Sequence, residues 1–236
     1  MTTPRHDVIL DQVIARTRYL LLDFDGPVCD IFAGHPDITV ADRLRKLITG
    51  QGIAIPADIA ETRDPIAVFI YSATISPELA ARVEAEMTEQ ETAAVPTARP
   101  TAYLHDVVSS CRDSGRAVAV VSNNSDRAVR TYLQLHGLDD RVDLVVARTS
   151  SDPALLKPSQ HLLNVAIAQL AADPGECTLV GDSLTDIQAG QLANVSTIGY
   201  ANKPGKLTQL NAAEATAVIT SMADLVLPLR ARPLPN

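Results

Sequence analysis

The chain has 236 residues, 46% hydrophobic and 20% charged, which is the balance of a globular protein with ample material for a core. Its 28 acidic and 20 basic side chains leave a formal charge of -8, with no stripe of Lys and Arg to follow a nucleic-acid backbone, so nucleic acid is not an expected partner. Charges interrupt the apolar stretches of the N-terminus, which lacks a signal-peptide layout, and no run approaches the roughly eighteen uncharged residues of a membrane span.

The three cysteines, Cys29, Cys111 and Cys177, are odd in number and form no CxxC pair. They read as reduced thiols of a soluble cytoplasmic protein. Cys111 and Cys177 sit in apolar runs and read as packing. Cys29 lies beside an acidic motif but has no base next to it, which makes it a poor thiol nucleophile.

Taken in chain order, short apolar runs alternate with helical periods. YLLLD at 19–23 is the first run, followed by AVAVVS at 117–122, VDLVVA at 142–147, CTLVGD at 177–182 and STIGY at 196–200, with a weaker sixth at 217–220. Unbroken apolar runs of this length suit strands buried on both faces. Between them, Leu104, Val107, Val108 and Cys111, then Val129, Leu133 and Leu135, then Leu162, Leu163, Val165, Ile167 and Leu170 mark amphipathic helices. The alternation predicts a doubly wound α/β fold with a parallel sheet.

The segment after the first run breaks this rhythm. Val40, Leu44, Leu47 and Ile48 follow a helical period, as do Leu79, Val83 and Met87, and Pro56, Pro65 and Pro77 punctuate the pieces. Residues 33–97 therefore read as a small helical insertion over the first strand's loop, with residues 1–32 and 98–236 as the core. A Pro-rich tail at Pro228, Pro233 and Pro235 is expected to fray.

In open α/β sheets ligands gather at the carboxyl ends of the strands, and the polar motifs fall there. The first strand ends in Asp23-Phe24-Asp25-Gly26, where two carboxylates can converge on one cation and the glycine lets the backbone turn. Alone, it would equally suit an ordinary Asp/Gly turn. The second ends in Ser122-Asn123-Asn124-Ser125, which suits a phosphoryl oxygen or, as readily, a helix N-cap. Lys157 precedes a helix and could neutralise phosphate charge or simply be solvated. The fourth ends in Gly181-Asp182-Ser183-Leu184-Thr185-Asp186, whose two acids repel unless a cation is near. Together these are an acidic pair, a hydroxyl, a lysine and a second acidic pair. Magnesium takes hard oxygen ligands and keeps several waters, so two or three carboxylates are enough, and phosphoryl transfer needs just such positioning and charge neutralisation.

DFDG, VVSNN, LLKP and GDSLTD resemble, in order and separation, the four motifs of the haloacid dehalogenase superfamily, and the helical segment resembles the cap of its phosphoglycolate-phosphatase-like subgroup. The resemblance covers residues 19–200. It implies a Rossmann-like core with an α-helical cap and a magnesium-dependent phosphatase acting on a small phosphorylated metabolite. Asp23 would be the nucleophile, and Asp25 the acid and then the base. Ser122, Asn123 and Lys157 would bind the phosphate, with Ser122 and Lys157 also catalytic, and Lys157 would be positioned by an acid such as Asp186. Asp23, the carbonyl of Asp25, Asp182 and, in support, Asp186 would hold Mg2+. Two positions depart from the pattern: Pro27 where threonine is frequent, which implies a stiffer hinge, and Asn194 where glycine is common.

Asp25 argues against dehalogenation, whose leaving halide needs no proton. A phosphonate-cleaving enzyme would need a reactive cap lysine, and Lys46 is the only lysine there. A sugar-phosphate mutase shares the same core and cap. A phospho-accepting receiver-like signalling protein and a non-catalytic binding protein are rivals from other classes. Arg43, Arg45, Lys46, Arg63 and His35 are candidates to face the rest of the substrate, or are solvated, and Phe32, Phe69 and Tyr71 could stack on a base. The oligomeric state is not legible.

Overall fold

The computed structural model describes residues 4–231 and Leu234. Helix α1 (Pro4–Arg16) leads into strand β1 (Tyr19–Leu22). A two-residue strand, β2 (Cys29–Asp30), precedes four helices: α2 (Asp37–Thr49), α3 (Ala57–Glu61), α4 (Pro65–Ile75) and α5 (Pro77–Ala94). Strand β3 (Arg99–Pro100) then pairs antiparallel with β2, and this small ribbon brackets the helical segment. Helix and strand alternate thereafter through α6 (Leu104–Asp113), β4 (Ala117–Ser125), α7 (Asp126–Leu135), β5 (Leu144–Arg148), α8 (His161–Gln169), β6 (Cys177–Gly181) and α9 (Leu184–Leu192). The chain continues with β7 (Ser196–Tyr200), α10 (Lys206–Ala212), β8 (Ala217–Ile219) and α11 (Ala223–Ala231).

All six apolar runs become strands of one parallel sheet in the order β5-β4-β1-β6-β7-β8. Successive residues of β1 feed opposite faces. Leu20 and Leu22 join one cluster with Val13, Ile14, Val107, Val129 and Leu225, while Leu21 joins another with Leu163, Ala166 and Ala189. The sheet is thus covered on both sides, which is why its strands carry no polar alternation. After β5 the chain crosses back to β6 on the far side of β1, so β1 lies between β4 and β6. That crossing puts the carboxyl ends of three motif-bearing strands side by side.

Helices α2, α4 and α5 bury Val40, Leu44, Ile48, Val68, Phe69, Val83 and Met87 against one another, joined by Leu156 from beyond β5. Two prolines that punctuate the sequence here start helices. Pro65 follows Asp64, whose carboxylate accepts from Ile66 N, and Pro77 follows Ser76, whose hydroxyl accepts from Leu79 N. Arg45, buried, donates to the carbonyls of Ile59 (3.2 Å) and Thr62 (2.7 Å), and so stitches α2 to the connection between α3 and α4.

Several elements escape the sequence reading. Helix α1 buries Leu10, Val13 and Ile14, an i, i+3, i+4 set that overlaps the approach to the first strand. The tail expectation needs correcting at Pro228. This residue lies inside α11, whose Leu225 and Leu229 are fully buried, and that burial outweighs the lost helical hydrogen bond. Pro233 and Pro235 fall outside the described residues. At the opposite end of the sheet from the motifs, buried Arg116 donates to the carbonyls of Ile14 (3.2 Å), Thr17 (2.9 Å) and Leu229 (3.3 Å), satisfying the last turns of both α1 and α11. Asn194 has a φ of 55°. It is one of the few non-glycine residues that accept the left-handed region, which accounts for its standing where glycine is common.

Candidate active site

Parallel pairing sets the site. Leu22 lies opposite Val120 of β4 and Val180 of β6, so each motif begins one or two residues beyond this paired row, and Asp23 N donates to Val180 O at 2.9 Å. Asp23, Asp25, Ser122, Asn123, Lys157, Asp182 and Asp186 all line one cleft of about 450 Å³. Its other wall comes from Phe32 and, in the helical segment, from Asp37, Arg63, Asp64, Pro65, Ile66 and Glu91.

Lys157 is the hub. Its buried ammonium contacts Asp23 Oδ1 (2.8 Å) and donates to Asp186 Oδ1 (2.5 Å) and Val121 O (3.0 Å). Burial alone would lower its affinity for a proton, but Asp186 and Asp23 outweigh that and keep it charged. The Asn123 side chain turns to the backbone of Lys157, accepting from its N–H (2.8 Å) and donating to its C=O (3.0 Å). Ser122 does not cap the following helix. Ser125 takes that role, and the Ser122 hydroxyl stays at the cleft, bonded to Asn124 Oδ1 at 3.2 Å.

Asp23, Asp182 and Asp186 each present a carboxylate oxygen within 4.8 Å of the others. The oxygens are not equally available. Asp186 is committed through one oxygen to Lys157 and through the other to Ser183 in a capping box at the start of α9. Asp182 Oδ2 accepts from Asn202 Nδ2 (2.9 Å) and from Lys206. Asp23 Oδ2 and Asp182 Oδ1 keep no protein donor among the described residues, so two carboxylates face the cleft with an open oxygen each. A hard-oxygen donor set of this kind fits a small divalent cation. Burial and the neighbouring Asp186 push the Asp23 carboxyl above its ordinary range despite Lys157, a repulsion a cation would relieve.

The side chain of Asp25 stands outside this trio and accepts from Ile31 N at 3.1 Å. Burial first, then Asp182, raises its pKa to about 7, so near neutrality it can both give and take a proton. Burial also pushes the Cys29 thiol well up, with Asp25 and Asp30 adding to the effect, which is the reverse of an activated thiolate.

Two glycines make room for this packing. Gly26 has a φ of 108°, and a Cβ there would lie 2.6 Å from Asp182 Cγ. A Cβ on Gly181 would lie 2.3 Å from Asp186 Cγ. Gly181→Ala is accordingly expected to push Asp186 off Lys157 and cost about 1–3 kcal/mol, lowering Tm by several degrees. Thermal unfolding tests this, and an unchanged Tm would show that Asp186 moves freely.

Of the cations and aromatics proposed for substrate contact, Arg63 and Phe32 line the cleft. Arg63 pairs with Asp37 at 2.9 Å. Arg45 and Phe69 are buried within the helical segment, Tyr71 packs against it, and Lys46 and Arg43 point to solvent. His35 contacts Gln90.

The family described as haloacid dehalogenase-like hydrolase matches residues 58–200, more than half of the chain. The chain belongs to the haloacid dehalogenase-like hydrolases. Among curated relatives of this hydrolase are two proteins named pyrophosphatase PpaX. That of Bacillus velezensis is 28% identical over 52% of this chain and 56% of its own length, and that of Bacillus mycoides is 30% identical over 55% and 59%. The chain thus spans little more than half the length of these relatives. A solved structure named as a "predicted phosphatase" from Clostridium acetobutylicum superposes with a TM-score of 0.69 at 17% identity, covering 89% of this chain and 96% of that one. One named as a "predicted phosphoglycolate phosphatase" from Haemophilus somnus gives 0.64 at 16%, covering 89% and 97%. Both share the α/β fold. Asp23 and Asp25 precede the matched segment, so their place in the site comes from the geometry above.

Sequence reasoning passed over Asn202, Lys206, Glu91 and Arg148. Asn202, in the loop after β7, and Lys206, at the start of α10, reach Asp182 from a segment with no motif of its own. Glu91 and Arg148 meet only through the fold, 57 residues apart. Among the described residues no helix is long and apolar enough to cross a membrane.

Proposed function

We propose that this hydrolase is a magnesium-dependent phosphatase that cleaves a small organic phosphate monoester through an aspartyl-phosphate on Asp23. The observation that carries this reading is one cleft lined by Asp23, Asp25, Ser122, Lys157, Asp182 and Asp186, with Lys157 held against Asp23. The Asp23 carboxylate attacks phosphorus, and the electron pair of the breaking P–O bond passes to the ester oxygen. The protonated Asp25 donates to that oxygen. Asp25, now a carboxylate, takes a proton from water, which attacks the phosphoenzyme and returns Asp23 with inorganic phosphate. Ser122, Lys157 and the main-chain N–H of Asn123 hold the phosphoryl oxygens. Asp23, the carbonyl of Asp25 and Asp182 would hold Mg2+, which neutralises charge on the phosphoryl group when bound, and Asp186 supports the site by fixing Lys157.

The helices of residues 33–97 serve as a cap over the cleft, a role supported by the wall that Asp37, Arg63 and Ile66 provide. The three free, buried cysteines suit a cytoplasmic setting. The named relatives put inorganic pyrophosphate on the substrate panel beside alkyl and aryl esters. Hydrolysis of 4-nitrophenyl phosphate is expected to fall to background with a chelator and return with added Mg2+. Equal rates with and without chelator would end the metal assignment.

A further inference from the structure

Strand β4 does not run evenly beside β5. Val121 pairs with Val146, but the next registered pair is Ser125 with Arg148, so β4 holds three residues between these pairs and β5 one. The surplus forms a bulge at Ser122, Asn123 and Asn124, which lifts these residues off the ladder at the place where a phosphate is to be received. A bulged segment loses its neighbour's hydrogen bonds and needs other partners.

Those partners come from the end of β5 and from the cap. Arg148 is 3% exposed and donates to Asn123 O at 2.6 Å. Its guanidinium also spans both oxygens of Glu91 on α5, at 3.1 and 2.9 Å. Glu91, 2% exposed, in turn accepts from Ser125 N at 2.8 Å and from Asn124 Nδ2 at 3.2 Å, and Asn124 Oδ1 accepts from the Ser122 hydroxyl at 3.2 Å. Glu84, two turns earlier on α5, pairs with Arg148 Nε at 3.1 Å and makes no hydrogen bond to the bulge. Burying an ion pair contributes little net stability as a rule. This one satisfies both ends of the bulge and links the loop to a helix outside the sheet.

We propose that Arg148 and Glu91 are positioning residues, a strut through which cap helix α5 sets the position of the Ser122–Ser125 loop. The phosphate is then received by a loop held jointly by core and cap. The strut rests on the phosphatase reading for the ligand it serves, and it is tested by phosphate binding itself rather than by turnover.

The test compares Glu91→Gln with Glu84→Gln in the full chain with Mg2+ present. Each removes one carboxylate charge from Arg148 and leaves the other. Only the first disturbs the loop, because both Glu91 oxygens accept from it, and the Gln NH2, whichever oxygen it replaces, cannot accept from the donor it faces, Ser125 N or Asn124 Nδ2. Calorimetric affinity for inorganic phosphate is expected to weaken by about ten-fold or more in Glu91→Gln and to stay within about two-fold in Glu84→Gln. With 4-nitrophenyl phosphate the loss should appear in KM more than in kcat. Equal effects of the two variants, or wild-type affinity in Glu91→Gln, would overturn the strut. Should Glu91→Gln not fold, Asn124→Ala decides: it keeps the ion pair and breaks the route to Ser122, and wild-type phosphate affinity in it overturns the proposal. A wild type that binds phosphate but hydrolyses no ester would sink the phosphatase reading alone.

Discussion

Asp23→Asn is expected to lower kcat for any phosphate ester by at least about 10⁴-fold, the scale of removing a covalent nucleophile. The amide has nearly the shape of the carboxylate and still fits beside Lys157 and Phe24 N, which contact Asp23 Oδ1 at 2.8 Å each. Folding should not suffer. A carboxyl whose folded pKa is raised contributes stability in acid and loses it as pH rises through that folded value. Ionised Asp23, buried first of all and also crowded by Asp186 and Asp182, is therefore a cost near neutrality in the metal-free protein, and the amide removes it. The variant is expected to match or exceed the wild-type Tm at pH 8 without metal while forming no phosphoenzyme on acid quench. Intact-mass measurement and steady-state rates check this, and turnover above a few per cent of wild type would remove Asp23 from the nucleophile's role.

Asp25→Asn is expected to separate two kinds of leaving group. An alkyl phosphate expels a strongly basic alkoxide and needs the proton, so its kcat/KM should fall by about 10²–10⁴-fold. A nitrophenolate leaves with little help, so the same constant should fall far less for 4-nitrophenyl phosphate. Turnover of both esters should drop, because water attack on the phosphoenzyme uses the same carboxylate, and phosphoenzyme should accumulate. The pH profile carries the same signature. With its pKa raised to about 7, Asp25 loses its proton as pH rises through neutrality, and kcat/KM for the alkyl ester should decline there. That limb should be absent for the nitrophenyl ester. Identical losses for the two esters would transfer the proton to another group.

The core was legible because its strands are buried on both faces, so that YLLL, AVAVV and CTLVG announce themselves as unbroken apolar runs, and because parallel pairing sends every motif to the same edge. The pairing of Lys157 with Asp186 was expected from the resemblance of LLKP and GDSLTD to the family's motifs. Other parts were hidden by their physics. The Asn123 side chain serves the Lys157 backbone, a contact between segments 34 residues apart that no local pattern marks. The β4 bulge depends on its neighbour's register, and β4 alone reads as one strand. Arg45 and Arg148 look like surface cations, yet both are buried, because each finds acceptors that appear only after the helices of residues 33–97 assemble. Helix α11 was obscured by Pro228, a residue that weakens a helix locally but does not prevent one whose Leu225 and Leu229 are wanted by the core.

Arg116 has a practical consequence for anyone attaching this molecule to something else. By gripping the carbonyl of Leu229 it fixes the last described helix to the underside of the sheet, at the far pole from the carboxylates. A tether, affinity handle or surface anchor joined after residue 231 would therefore leave the mouth of the cleft facing outward and free for diffusing molecules. A deletion that trims back past Leu229 would instead take one acceptor from a guanidinium sealed away from water, so the safe cutting point lies beyond that residue.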